Sequence, residues 1–257
     1  MKTEGDLFSL VGKNLIITGA SSGIGRQCAL QCNKMGATII IMGRREEKLK
    51  EVLSQLNGTR NLIYIQDITK FDELEPLVDD AFLKNGPIDG FIHSAGVELT
   101  MPLISMKHTH YEKLFATNVI SGFELAKIVS KRKFINPGGA SFVFISSIMG
   151  IVGDIGLTAY CSSKGALISG VKAMALELAS KKIRVNCVSP AYIEDTELTK
   201  KMSAHIMAEK KQIKSAMHPL GYGKTEDVAN SCIFLLSDAS KWVTGTNLIL
   251  DGGYTAR

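Results

Sequence analysis

The stretch that most constrains this chain is residues 15–25, where the apolar run Leu15-Ile16-Ile17-Thr18 passes directly into Gly19-Ala20-Ser21-Ser22-Gly23-Ile24-Gly25. The run reads as a strand, and the next apolar periodicity, over residues 23–35, reads as a helix that starts inside the glycine turn. Glycines let the backbone turn tightly and come close to a bound pyrophosphate. The helix start adds free N–H groups and the positive end of its dipole. A glycine trio also serves plain strand-to-helix turns. Two readings therefore stand here, a dinucleotide loop and a structural turn, and the loop's place at the first junction of an alternating chain favours the dinucleotide.

The alternation continues to the end. Thr38-Ile39-Ile40-Ile41-Met42 is continuously apolar, as a strand covered on both faces must be. Further strands are expected at 62–65, 88–92, 141–145, 183–188 and 247–250, with helical segments between them, notably 109–133 and 158–180. Such a pattern predicts an α/β fold: a single-domain, Rossmann-type, doubly wound seven-stranded parallel sheet with helices on both faces and right-handed crossovers. No repeat, low-complexity tract or linker interrupts it, so residues 1–257 are expected to form one domain.

Composition narrows the function classes. The formal charge is +5, but the basic residues come in short groups such as Lys131-Arg132-Lys133, spread among acids and without interleaved aromatics. A nucleic-acid surface needs a concentrated basic face, so no nucleic-acid partner is expected. The five cysteines, Cys28, Cys32, Cys161, Cys187 and Cys232, form no CxxC pair and have no nearby histidine to complete a metal site. They read as buried reduced thiols, and no metal is expected. The N-terminus carries acids where a signal peptide needs an apolar run, and no apolar stretch reaches the roughly 18 residues that span a bilayer. A cytoplasmic protein with no membrane partner is the expectation.

The end of the second strand bears on the cofactor. NAD-preferring folds place an acid about 20 residues after the glycines, on the ribose 2′-hydroxyl, whereas arginine there accommodates a 2′-phosphate. This chain reads Gly43-Arg44-Arg45, with no carboxylate, and Arg44 has the fork geometry for a bidentate phosphate pair. The expectation is NADP, with NADPH preferred over NADH; the competing reading makes both arginines solvated residues of a helix's first turn.

Tyr160 and Lys164 are four apart in Tyr160-Cys161-Ser162-Ser163-Lys164, which puts both on one helix face. Ser147 stands at the end of the fifth strand, before a loop carrying Gly150, Gly153 and Gly156. Strand C-termini are where open α/β sheets build their sites.

At this point the chain resembles the short-chain dehydrogenase/reductase family over nearly its whole length, closest in look to the 3-oxoacyl-carrier-protein reductase-like branch. The resemblance rests on Thr18-Gly19-x-x-x-Gly23-x-Gly25, Asp67, Ala95-Gly96, Asn118, Ser147, Tyr160-x-x-x-Lys164, Pro190 and Leu250-Asp251-Gly252-Gly253. It implies an NADP(H)-dependent oxidoreductase acting on a carbonyl or secondary alcohol, with a catalytic tetrad. Tyr160 would exchange the proton, and Ser147 would orient the substrate oxygen. Lys164 would lower the tyrosine pKa and bond the nicotinamide ribose, and Asn118 would hold a water linking Lys164 to solvent. An ammonium about 4 Å from the phenol is worth roughly 4 kcal/mol at an effective dielectric of 20, before desolvation opposes it. The cofactor would touch Gly19, Ser21, Ser22, Gly23, Ile24, Gly25, Arg44, Ala95, Gly96, Tyr160, Lys164 and Pro190. Asp67 would meet the adenine beside Ile68, and Ile193 the carboxamide.

Three departures from the family pattern stand out. His93-Ser94-Ala95-Gly96 replaces the usual Asn-Asn-Ala-Gly, and His93 reads as a hydrogen-bonding core residue rather than a catalyst. Pro190-Ala191 replaces Pro-Gly. Asp195 stands where threonine is usual, with Thr196 one further on, which loosens the expected carboxamide contact. Residues 194–218 would form a substrate lid, with Leu198, Met202, Ile206 and Ile213 as an apolar stripe among lysines, or else an amphipathic helix packed on the body. The implied substrate is a small-molecule or acyl-carrier-linked carbonyl, such as a 3-oxoacyl thioester or another ketone. A sugar, polyol or other small carbonyl is the alternative, and a nucleotide-sugar epimerase or a non-catalytic NADP-binding module stands further off. The C-terminal Leu250-Asp251-Gly252-Gly253-Tyr254 segment implies a homotetramer.

Overall fold

The computed structural model describes residues 7–197, 199 and 216–256. Seven strands form one parallel sheet: β1 (Asn14–Thr18), β2 (Thr38–Gly43), β3 (Leu62–Ile65), β4 (Gly90–His93), β5 (Ala140–Ile145), β6 (Ile183–Pro190) and β7 (Asn247–Leu250). Their order is β3-β2-β1-β4-β5-β6-β7, and every pairing is parallel. The helices are α1 (Gly23–Lys34), α2 (Glu46–Ser54), α3 (Leu74–Asn85), α4 (His108–Phe115), α5 (Ser121–Val129), α6 (Thr158–Leu178) and α7 (Thr225–Leu236). This is the doubly wound Rossmann-type fold expected from the alternating pattern.

Side-chain alternation along the central strands explains the two covered faces. Ile16, Ile40, Met42, Phe91, Phe142 and Phe144 point to one side, where α3, α5 and α6 lie over them. Leu15, Ile17, Ile39, Ile41, Ile92 and Val143 point to the other, beneath α1, α2 and α7. A strand buried on both faces has no polar positions to spare, which is why these runs are continuously apolar. Phe91 stacks on Phe142 at 4.4 Å and meets Phe144 edge-on at 5.4 Å, at the centre of the first layer. Truncating a ring there should cost about 3–5 kcal/mol.

Two elements differ from expectation. The fourth strand begins at Gly90 rather than Ile88, because Ile88 pairs instead with Ile135 in an isolated bridge, its amide donating to the Phe134 carbonyl (2.8 Å) and its carbonyl accepting the Asn136 amide (3.1 Å). The long helix expected over 109–133 is interrupted by a π turn at Ala116–Ile120 between α4 and α5. Such single-turn bulges re-aim a side chain, and here the turn carries Asn118.

Leu198, Met202, Ile206 and Ile213, the expected lid stripe, lie outside the described residues, as do Lys200, Lys201, Lys210, Lys211 and Lys214. Among the described residues no helix is long and apolar enough to cross a membrane, and no cluster of metal-ligating side chains is present. Cys28, Cys32, Cys187 and Cys232 are buried free thiols; Cys161 is only half-buried, with its Sγ 3.8 Å from the Val152 carbonyl.

Candidate active site

Between β1 and β4 the strand order reverses, and crossovers leave to opposite faces. A crevice must open beyond the strand ends at such a point. A cleft of about 1250 Å3 occupies it, and its lining includes most of the residues singled out in the sequence.

The β1–α1 turn forms one wall. Gly19 has φ +69°, and a Cβ there would lie 2.7 Å from the Ala95 amide nitrogen. Gly23 has φ +54°, and a Cβ on Gly25 would fall 2.5 Å from the Gly19 carbonyl oxygen. The turn thus requires glycine, for backbone conformation at the first two and close approach at the third. Ser22 precedes α1 without a side-chain cap bond, so no capping side chain occupies the first-turn amides. That cradle of glycines at a helix start suits a dinucleotide pyrophosphate. Gly19, Ser21, Ser22, Gly23 and Ile24 line the cleft, while Gly25 is buried behind them.

At the outer end, Arg44 is well exposed and lies 3.9 Å from Asp67. Asp67 accepts bonds from the Thr69 amide (3.0 Å) and hydroxyl (2.8 Å), which hold its carboxyl below the ordinary range, with Arg44 adding to the effect. Arg45, not Arg44, reaches back to the glycine turn: its Nε and Nη2 donate to Ser21 Oγ (3.1 and 2.9 Å), and Nη2 also bonds Ser22 Oγ. Ile68 is buried at the adjoining floor.

The inner end collects Ser147, Tyr160 and Lys164. Ser147 follows β5, and its Oγ accepts the Met149 amide (3.1 Å) to start the next turn. The loop then crosses α6 closely: a Cβ on Gly150 would lie 2.8 Å from the Lys164 carbonyl carbon. Ser146 Oγ donates to the Lys164 carbonyl (2.8 Å), which fixes α6 against the strand end. Lys164 is 5% exposed and donates from Nζ to the Ile145 carbonyl at 2.8 Å. Its Nζ stands 5.6 Å from the Tyr160 ring centre.

The electrostatics differ from the simple expectation of a lysine-depressed tyrosine. Desolvation pushes the Tyr160 phenol well above its usual value, the Glu98 carboxylate adds to this, and a hydrogen bond with Ser147 opposes it. Burial lowers Lys164 to about 8, with Cys187 and Glu98 pulling upward. The ammonium donates to the Ile145 carbonyl while standing against the Tyr160 ring. The geometry therefore holds a protonated phenol beside a cation that readily gives up its charge.

Asn118 sits behind this group, fully buried. Its Oδ1 accepts the Val97 amide (2.8 Å), and its Nδ2 donates to the Val97 carbonyl (2.9 Å) and Ser163 Oγ (3.0 Å). Ala95 and Gly96 line the cleft just before it. His93 is a core residue, 1% exposed, and does not line the cleft.

On the β6 side, Pro190, Ala191 and Ile193 line the cleft, and Ile193 bridges to Gly223. Asp195 does not face it. Its Oδ1 accepts the Thr225 amide (2.9 Å) and its Oδ2 the Thr225 hydroxyl (2.7 Å), so it tethers the start of α7. Thr196 takes the position in the lining instead. Glu98 also lines the cleft without having been singled out from sequence, and it is joined there by Glu197 and His218 from the expected lid segment and by Tyr254 from the C-terminal segment expected at a subunit contact. Glu98 follows Ala95-Gly96 closely enough to have been found; the other three reach the cleft only through the return of the chain after β6.

Comparison with known proteins bears on the whole chain. A family model described as enoyl-(acyl carrier protein) reductase matches residues 19–255. The NAD-dependent glycerol dehydrogenase of Listeria innocua is 34% identical over 250 residues, covering 97% of this chain and 96% of that one. The 3-oxoacyl-[acyl-carrier-protein] reductase FabG of Thermotoga maritima is 34% identical over 247 residues, covering 95% and 98%. Among solved structures, 7α-hydroxysteroid dehydrogenase complexed with NADH and 7-oxoglycochenodeoxycholic acid superposes with a TM-score of 0.90 at 32% identity, covering 98% of both chains.

Proposed function

Because the chain belongs to the short-chain dehydrogenase/reductase family, in the branch similar to the 3-oxoacyl-carrier-protein reductases, and so acts as an oxidoreductase on carbonyl and alcohol groups, we propose that it is an NADP(H)-dependent reductase of a ketone or 3-oxoacyl group. The observation that carries this reading is the meeting of Ser147, Tyr160 and Lys164 at one end of a cleft whose other end is the glycine turn with Arg44 and Arg45. A bound nicotinamide nucleotide supplies or accepts the hydride. Gly19, Ser21, Ser22, Gly23, Ile24 and Gly25 shape its phosphate cradle, Arg44 offers a cation to a 2′-phosphate, and Asp67 and Ile68 flank the adenine end. Ala95, Gly96, Pro190 and Ile193 form the walls toward the nicotinamide.

Ser147 orients the carbonyl oxygen of the substrate, and Tyr160 gives its hydroxyl proton to that oxygen as negative charge develops. A phenol kept protonated by burial is able to serve as the acid in carbonyl reduction. Lys164 supplies positive charge beneath the phenol after the proton leaves, and a solvent proton relayed through a water at Asn118 and Lys164 restores the phenol. Alcohol oxidation is the reverse of these steps through the same groups. The equal resemblance to a glycerol dehydrogenase supports a second substrate class, a sugar, polyol or other small carbonyl. The C-terminal segment at residues 250–254 would pack at subunit contacts of a homotetramer.

The reading is tested by following NADPH and NADH oxidation across acyl thioesters, simple ketones and keto-sugars. Higher kcat/KM with NADPH is expected; a preference for NADH would remove the NADP assignment. Tyr160→Phe should lower kcat by about 10³-fold and leave NADPH binding intact, since general acids contribute roughly 10²–10⁴. Substantial turnover by that variant would refute the role of Tyr160.

A further inference from the structure

The basic corner at the outer end of the cleft already holds an anion of the chain's own. Arg45 Nη1 donates to Glu197 Oε2 at 2.7 Å, and Lys48 Nζ pairs with Glu197 Oε1. The same guanidinium is anchored on the hydroxyls of Ser21 and Ser22 through its other nitrogens. Glu197 comes from far along the sequence, just after Thr196, whose Oγ1 accepts the Thr199 amide (3.0 Å) and whose side chain would lie 3.6 Å from a Cβ added at Gly23. The carboxylate thus arrives from the wall opposite β2, at the corner where the sequence supplies no acid from β2 itself. Bonds from Lys48 and then Arg45 hold it down to about 2, so it is an anion at any working pH.

A 2′-phosphate needs cations and hydroxyl donors; a 2′-hydroxyl needs an acceptor. Arg45, Lys48 and the two serines are the first set, and Glu197 is a member of the second. We propose that Glu197 is a specificity-determining residue that limits discrimination between NADP and NAD, by occupying the Arg45–Lys48 pair that a 2′-phosphate would engage. The proposal rests on the reading that this corner receives the adenosine ribose. Binding of the phosphorylated cofactor must displace or share the Glu197 bonds, whereas the unphosphorylated one leaves them in place. Arg44 stands outside the clasp, 3.9 Å from Asp67, and among the described residues is the cation left for the phosphate while Glu197 holds the others.

Isothermal titration with adenosine 2′,5′-bisphosphate and adenosine 5′-monophosphate separates the two contributions without turnover. Glu197→Gln should tighten the bisphosphate about three- to tenfold relative to the monophosphate, since the pairs released are exposed and each is modest. A change in that ratio of less than threefold overturns the proposal. In an Arg45→Ala background the same substitution should have less than half its logarithmic effect; an undiminished effect would mean that Glu197 acts by some route other than the clasp. The NADP reading is judged separately, by the wild-type preference between NADPH and NADH, so either can fail alone.

Discussion

The hydroxyl of Thr18 lies 3.0 Å from Nδ1 of His93 and also accepts the Ala95 amide at 3.2 Å. The hydroxyl has two acceptor lone pairs, so the direction of its bond with Nδ1 follows the imidazole tautomer. Thr18 and His93 together fix where β1 and β4 end, and so where Ala95 presents itself to the cleft.

Burial, with Lys164 nearby, holds the His93 imidazole down to about 3. In the unfolded chain it titrates near 6.5, so between these values the unfolded state binds the extra proton and stability falls as pH falls. His93→Asn removes this penalty. Denaturant unfolding at pH 7, 5.5 and 4.5 should show the variant gaining on wild type by about 1.4 kcal/mol per unit below pH 6. Parallel pH curves would rule it out.

Lys164 is charged below about pH 8 and neutral above it. If its charge stabilises the phenolate left after proton donation, kcat for carbonyl reduction should hold steady below pH 8 and fall as pH rises through it. A profile flat to pH 10, recorded with saturating cofactor, would show that the charge of Lys164 does not matter to the step.

Two glycines separate strain from collision. Gly58 has φ +86° with nothing within 4 Å of an added Cβ, so Gly58→Ala should cost only the backbone penalty of about 1–2 kcal/mol. Gly19→Ala adds a 2.7 Å approach to the Ala95 nitrogen, so it should destabilise more and also abolish cofactor binding. Thermal melts and nucleotide titration of both variants check this; equal losses would mean the turn relaxes freely.

Asp195→Ala should lower stability by about 1 kcal/mol, as loss of a helix-start acceptor does, and leave KM for the nicotinamide cofactor nearly unchanged. A large rise in that KM with unaltered stability would place Asp195 in the cofactor site after all.

How these residues were legible follows from their range of interaction. Gly19, Gly23 and Gly25 announce themselves because a turn's backbone needs act on neighbours in sequence. Tyr160 and Lys164 do so because a helix places i and i+4 together. The continuous strands likewise report burial on two faces. Arg45's hold on Ser21 and Ser22, the Glu197 clasp, Asp195 turning to Thr225 and the lysine aimed at Ile145 are not written in any local pattern.

The sequence by itself determined the doubly wound sheet and the identity of its glycine turn, because periodicity and backbone freedom are short-range properties. Only the tertiary structure decided the charge state and partners of the side chains in the cleft. Those depend on desolvation and on which distant groups the folded chain brings within a few ångströms, as it brings Glu197 to Arg45.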